Sequence, residues 1–386
     1  MKIAMIGQKG IPATSGGIER HVEELSAELA KRGHEVLVYC RKWYVANQTI
    51  REHRGATLVF TPSIRSKHLD AITHTFLSIL AAARADVDVF HIHGVGPALL
   101  AWLPKLVRPT AKVVVTFHCI DRHHQKWNWF ARFMLWLGER MACRAADATV
   151  AVSRALKAYC HLTHGTEAVY IPNGTQIPTH TDDKSLLNPF GLESGKYLMM
   201  CSRLVPHKGA HTLIEAWKHL RQSSPEATRD IKLAIVGGGA FTDAYVEKLN
   251  AMAAGDASVV MTGARSGEAL HALFANAYAV VHPSVSEGLP IAVLEAMSYG
   301  KCVLSTDIPE NLELTAEHGM TFRSGNVAEL AEKMKAMLEH PDIVQTVGRE
   351  ARAHVARHYD WNDIAQTTEH LYEYLHAEPE MKPKTA

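Results

Sequence analysis

Apolar positions along the chain alternate between two spacings. KIAMIG (2–7) is a short continuous apolar run of the buried-strand kind, and the IERHVEELSAELAKRG that follows puts Ile18, Val22, Leu25 and Leu29 on one helical face. The alternation then repeats through HEVLVYC (34–40), ATLVFTP (56–62), DVFHIHG (88–94), KVVVTFH (112–118), ATVAVS (148–153) and AVYIPNG (168–174). Near-continuous apolar strands separated by helical stretches predict a parallel sheet covered on both faces, because a parallel strand needs a crossover to return.

Residues 175–195 lose this pattern: TQIPTHTDDKSLLNPFGLESG is rich in Pro, Asp, Ser, Thr and Gly and reads as a linker. The same grammar restarts with KYLMMCS (196–202), IKLAIVGGG (231–239), SVVMTG (258–263), AYAVVHPS (277–284) and KCVLSTDIP (301–309). The expected fold is therefore α/β, with two doubly wound Rossmann-like domains at 1–174 and 196–360. Such sheets bind ligands at the carboxyl ends of their strands, so the two halves are expected to face a central cleft. DWNDIAQTTEHLYEYLHA is amphipathic and reads as a last helix, with EPEMKPKTA as a frayed tail.

Composition narrows the function. A formal net charge of +1 over 386 residues argues against a dedicated nucleic-acid binder. The six cysteines, with no Cys-x-x-Cys pair, suit a reducing compartment better than a disulfide scaffold or zinc module. MKIAMIGQKG starts directly as strand and turn with no signal-type apolar region, and no run of 18 apolar residues occurs, so a cytoplasmic chain without a spanning helix is expected. The nearest approaches to metal-ligand pairs among the histidines are His91-x-His93 and His123-His124. Neither has a carboxylate or cysteine partner at zinc spacing, so these are read as scattered core and surface histidines and no metal site is expected.

The candidate chemistry lies in loops at predicted strand ends. In SVSEGLPIAVLEAM (284–297) a Gly-Leu-Pro turn opens a helix between two acids, Glu287 and Glu295. Pro290 suits the first helical position, where the free N–H groups of the first turn can hold an anion, and Glu287 stands on the lip of that site. Glu295 shares its face with Ile291 and Tyr299, and a carboxylate among apolar neighbours asks for hydrogen-bond donors such as sugar or ribose hydroxyls. A helix cap and a surface acid describe the same two residues equally well. SRLVPHKG puts Arg203 and Lys208 around a Pro-containing turn, a pair of cations suited to a diphosphate, with Gly209 admitting close backbone approach. In GIPATSGGIE, Gly16 and Gly17 precede a helix whose N–H groups can meet a phosphate or sugar, although true dinucleotide spacing is missing. His118 ends a predicted strand, with Asp121 following, and could polarise a reacting hydroxyl or be a buried structural histidine.

Together these segments resemble the retaining glycosyltransferases of family 4, which have the GT-B fold. The resemblance runs from GIPATSGGIERHVEELSAELAKRGHEVLVYCR through IPNG and SRLVPHKG to SVSEGLPIAVLEAMSYGKCVLSTD, and its most specific parts are Arg203-x4-Lys208 and Glu287-x7-Glu295. It implies a nucleotide diphosphate sugar as donor. Arg203 and Lys208 would hold the diphosphate, Glu295 the ribose, and Glu287 with the backbone of Gly288 and Leu289 would face the transferred sugar. Gly17, beside Gly16, would lie against the phosphates, His118 would approach the reacting centre, and Ala264 would contact the base through its backbone. It also implies that the final helix, within residues 361–386, crosses back to the first domain. GIPATSGGIE further resembles a bacterial subset assembling surface polysaccharides, with rhamnosyltransferase-like members, which implies a glycan or lipid-linked acceptor.

No Asp-x-Asp element sits at a strand end, and Asp182-Asp183 falls in the linker, so metal-independent transfer without a cofactor is expected. Two other classes share the phosphate grip: a sugar-nucleotide epimerase of the same fold, and a non-catalytic nucleotide-sugar-binding subunit. Lastly, KWNWFARFMLWLGERMACR (126–144) sets Trp127, Phe130, Met134, Leu137 and Met141 at helical spacing among Lys126, Arg132, Arg140 and Arg144. Its reading is either a helix packed on the sheet or one lying peripherally in a lipid headgroup layer.

Overall fold

The structure is a computed structural model that describes residues 1–14, 16–45, 47–66, 69–123, 128–179, 183–240 and 242–377. His124, Lys126, Trp127, Asp182 and the tail 378–386, all used in the sequence reading, lie outside the described residues. The chain divides into two compact units, Met1–Asn173 with Trp361–Ala386, and Gly174–Asp360.

The first unit is built on β1 (Lys2–Ile6), β2 (Glu35–Arg41), β3 (Glu52–His53), β4 (Ala56–Thr61), β5 (Val89–His93), β6 (Lys112–Phe117), β7 (Ala148–Ala151) and β8 (Val169–Tyr170). Their order is β3-β4-β2-β1-β5-β6-β7-β8, parallel throughout except for the β3–β4 pair. The order reverses between β1 and β5, where Ile3 is in register with Val89. Each predicted strand here is present, and β8 spans only two residues. The two-residue β3 was too short to leave a pattern.

The helix Gly17–Lys31 packs Val22, Leu25 and Leu29 into the core with Ile3, Val36 and Val114. It is buried further round than its apolar stripe suggests, since Glu23 and Glu24 are also covered. The hairpin residues over it give them partners: Arg54 donates to both oxygens of Glu24 at 2.9 Å, and His53 Nε2 meets Glu23 at 2.7 Å. The last helix, Trp361–Ala377, packs on Gly17–Lys31 and buries Trp361, Ile364 and Tyr372 in the same core. Tyr372 reaches His91 at 2.6 Å.

The second unit holds β9 (Tyr197–Cys201), β10 (Lys232–Val236), β11 (Val259–Gly263), β12 (Ala279–His282), β13 (Val303–Thr306) and β14 (Met320–Phe322), in the order β11-β10-β9-β12-β13-β14 and parallel throughout. The order reverses between β9 and β12, with Val280 opposite Met199. Trp217, Leu213, Leu233, Val281 and Met334 lie in its core. The segment read as a linker belongs to this unit. Lys184–Phe190 is a 3-10 helix packed on Gly267–Asn276, and Leu187 is buried. Its Pro, Asp and Ser mark a short helix capped by the Asp183 side chain rather than an open tether.

No disulfide links the six cysteines. Among the described residues no helix is long and apolar enough to cross a membrane.

Candidate active site

The second unit gathers most of the candidate residues at one edge. After β9 the chain passes Arg203 and turns through the 3-10 helix Pro206–Lys208 into the helix Ala210–Ser223. Gly209 makes that entry possible: its φ is +75° and an added Cβ would run into the Pro283 carbonyl, so the backbones following β9 and β12 touch there. Val285 N and Ser284 Oγ both donate to the His207 carbonyl, at 2.8 and 3.2 Å, and tie the two loops together.

These contacts bring Lys208 to Glu287. Lys208 Nζ donates to Glu287 Oε1 at 2.5 Å, and His282 Nε2, at the end of β12, donates to the same oxygen at 2.8 Å. The side chains are 14% (Lys208), 7% (Glu287) and 3% (His282) exposed. Burial alone would push the Glu287 carboxyl up, but the Lys208 charge and the two hydrogen bonds outweigh it and hold the group well below the usual carboxylate range. Glu287 is therefore an anion at neutral pH. Arg203 is half-buried and has no side-chain hydrogen bond or ion pair among the described residues. Its guanidinium remains available to a ligand.

Glu295 lies on the helix Ile291–Ser298, half-buried, with Gly288, Leu289 and Pro290 buried in the turn before it. Pro290 is the cap rather than the first helical residue: its ψ of 109° is extended while its carbonyl already accepts from Val293 N at 3.1 Å. Glu295's charge reaches Cys201 at the end of β9, whose thiol is pushed up by burial first and by that carboxylate second. Ala264 is exposed just past β11, beside Gly238.

The remaining candidates are at the carboxyl edge of the first unit's sheet. Gly16, with φ of +101°, caps the helix Gly17–Lys31, and its carbonyl accepts from Arg20 N at 3.2 Å. His118 follows β6 and is buried; its Nε2 meets His93 Nδ1 at 3.2 Å. Burial and the neighbouring imidazoles push His118 well below its ordinary value, so it is neutral. Sequence reasoning missed His282, whose only signal is a polar residue ending an apolar strand five positions before Glu287. It also missed Asn173, the third residue of IPNG, which holds His21 at 2.8 Å. Glu310 is a further acid near the site, pushed up by burial and by the charge of Glu287.

A doubly wound sheet with charged loops at its switch point defines a ligand-binding α/β enzyme class. Comparison with known proteins gives the family. The model of "Glycosyltransferase Family 4" matches residues 15–177, and that of "Glycosyl transferases group 1" matches residues 186–354. The chain belongs to the GT-B glycosyltransferases of the group 1/family 4 superfamily, and it is an enzyme of that class. It is 28% identical to the GDP-mannose-dependent alpha-(1-6)-phosphatidylinositol monomannoside mannosyltransferase of Mycolicibacterium smegmatis, over 91% of this chain and 93% of that one. It is 24% identical to the phosphatidyl-myo-inositol mannosyltransferase of Mycobacterium leprae, over 93% of each. In fold it matches Anabaena HepE, solved in complex with UDP and glucose, with a TM-score of 0.79 at 21% identity, over 97% of this chain and all of that one.

Proposed function

We propose that the protein transfers a sugar, with retention of anomeric configuration, from a nucleotide diphosphate sugar to a hydroxyl of a glycan or lipid-linked acceptor in polysaccharide assembly. The observation that carries this reading is the Arg203, Lys208 and Glu287 cluster at the β9/β12 switch point. Two cations there match the charge of a diphosphate leaving group without a bridging metal ion. Lys208 keeps two N–H donors beyond the one it gives Glu287. Glu287, held ionised, supplies negative charge where an oxocarbenium-like centre would form, and Glu295 offers acceptors to a ribose diol. Gly288 and Leu289 would present backbone to the sugar and Ala264 to the base. The same resemblance assigns Gly16 and Gly17 to the donor phosphates and His118 to the transferred sugar. UDP in Anabaena HepE and the GDP-mannose dependence of the M. smegmatis relative support a nucleotide donor. The rhamnosyltransferase-like wording of residues 10–19 makes a deoxyhexose donor the first to try.

The first unit also carries a surface suited to a lipid-borne acceptor. Trp129, Phe130 and Phe133 are 79%, 56% and 51% exposed on the helix Trp129–Arg144. We place the protein peripherally on the cytoplasmic face of a membrane. Thermal stabilisation by a panel of nucleotide diphosphates tests the donor reading, since a ligand at 100 times its dissociation constant adds about 2.7 kcal/mol. The anomeric configuration of the product, read by proton NMR couplings, tests retention. No stabilisation by any nucleotide diphosphate, or an inverted product, overturns it.

A further inference from the structure

Three buried histidines from separate elements meet at the carboxyl edge of the first unit's sheet: His21 on the helix Gly17–Lys31, His93 at the end of β5 and His118 just past β6. One ring nitrogen of each lies within 4.8 Å of the other two. The outward nitrogens of His21 and His93 are occupied. His21 Nδ1 donates to Asn173 Oδ1 at 2.8 Å, and His93 Nε2 points at Met5 Sδ, 3.4 Å away. Those contacts fix the tautomers so that His21 Nε2 and His93 Nδ1 carry lone pairs on the inner side. His21 Nε2 is buried and has no hydrogen-bond partner among the described residues. Such an orphan is costly unless something accepts its lone pair.

The geometry points to a three-histidine site in this unit for a divalent transition metal of the zinc type, with His21, His93 and His118 as ligands. Ligand nitrogens around tetrahedral zinc stand about 3.3 Å apart, given bonds of about 2.0–2.1 Å. The His93–His118 separation of 3.2 Å already meets that spacing, and the ligand nitrogen of His21 lies within 4.8 Å of both. An all-imidazole donor set selects zinc, cobalt, nickel or copper over magnesium and calcium. The Asn173 contact is the usual second support of a ligating histidine, orienting the ring and fixing the tautomer. Burial keeps the rings neutral, with His21 lowered to about 4, so the ion displaces no proton from His21. Three protein ligands leave a fourth position for water. If His118 acts on the sugar as proposed above, a filled site withdraws it from that role and zinc inhibits transfer; this clause alone rests on that reading.

The test is spectroscopic and uses the full chain with cobalt(II) alone, then zinc(II) as competitor. One equivalent of cobalt should give the visible d–d absorption of a tetrahedral site, which zinc abolishes. His21→Gln and His93→Gln should each remove the band, and Asn173→Ala should weaken binding about 10- to 100-fold. His354→Ala, which breaks the other stacked histidine group, His318, His354 and His358, should leave it unchanged. X-ray absorption on the zinc-loaded unaltered protein counts imidazole ligands without any variant, and three are expected. No tetrahedral band, a band that survives His21→Gln, or fewer than three imidazoles overturns the proposal.

Discussion

Lys208 and Glu287 meet at 2.5 Å between the loops that follow β9 and β12, the two strands where the order of the second sheet reverses. The pair is buried, so its consequences extend to stability as well as chemistry. Removing one partner of a buried ion pair leaves the other uncompensated, at a cost of about 3–5 kcal/mol.

Lys208→Ala should therefore lower stability by about that amount at neutral pH. The pH dependence identifies the cause. Glu287's folded value is depressed, so its ionised form contributes stability that is present above the ordinary carboxylate value of 4.5 and is lost as pH falls toward the depressed one. Without Lys208, burial opposes only the His282 hydrogen bond and the depression shrinks. The gap in melting temperature between wild type and variant should narrow as pH drops below that ordinary value. A gap that is constant from neutral to acid pH rules out the pair as its source.

Arg203→Ala separates binding from folding. Because Arg203 has no protein partner among the described residues, its loss should leave the melting temperature of the free protein nearly unchanged. It should remove a charge-assisted contact to the donor worth about 1.5–3 kcal/mol, and turnover should fall about tenfold or more. Wild-type turnover in this variant would sink the diphosphate assignment.

The two acids should part company in kinetics. Glu287→Gln should reduce kcat more than donor affinity, since its charge acts on the developing cation, whereas Glu295→Gln should mainly raise the donor KM. Initial rates over a donor series decide it, and the opposite partition refutes the roles. EDTA should leave the unmodified enzyme active; its abolition of transfer would show a bridging metal at the diphosphate.

How much of this was legible in the sequence follows from the range over which each signal acts. Buried parallel strands write themselves as apolar runs, so KIAMIG and IKLAIVGGG could be placed within one to three residues, whereas the three-residue β14 and the two-residue β3 are too short to show a period. Arg203, Lys208, Glu287 and Glu295 were found because strand-end loops have a fixed place in a doubly wound sheet. That Lys208 is already committed to Glu287 was not legible, because it depends on His207 and Val285 stitching two loops 78 residues apart. The histidines show the same limit. Their spacing along the chain, from 21 to 93 to 118, carries no ligand signature: the register of β5 beside β6 brings His93 and His118 together, and the packing of the helix Gly17–Lys31 adds His21.

The final prediction concerns the helix Trp129–Arg144. Its buried residues, Gly138, Glu139, Ala142 and Cys143, all fall in the C-terminal half, where Gly138 comes so close to the Val95 carbonyl that a side chain would collide. The sheet-packing expectation thus holds for that half, while Met134, Leu137 and Met141 are only half-buried and the first turns project aromatics outward. A cavity of about 450 Å³ beside them is lined by Arg122, Arg132, Phe133 and Trp136. Rings beside guanidinium groups suit a headgroup layer that is apolar below and anionic above. Several other basic residues of this unit are already engaged: Lys105 is paired with Asp147 at 2.7 Å, Arg108 is paired with Asp86, and Arg65 lies over the Trp43 ring. Arg84, Arg132 and Arg144 are exposed and can each contribute about 1 kcal/mol toward anionic lipid. The full-length protein should co-sediment with anionic vesicles at low salt, release as salt screens the attraction, and pellet poorly with neutral ones. Trp129→Ser with Phe133→Ser should abolish pelleting without changing the melting temperature, since both rings are exposed. A protein that stays in the supernatant with both lipids, or a double variant that pellets like wild type, removes this helix from the membrane and points to a soluble acceptor.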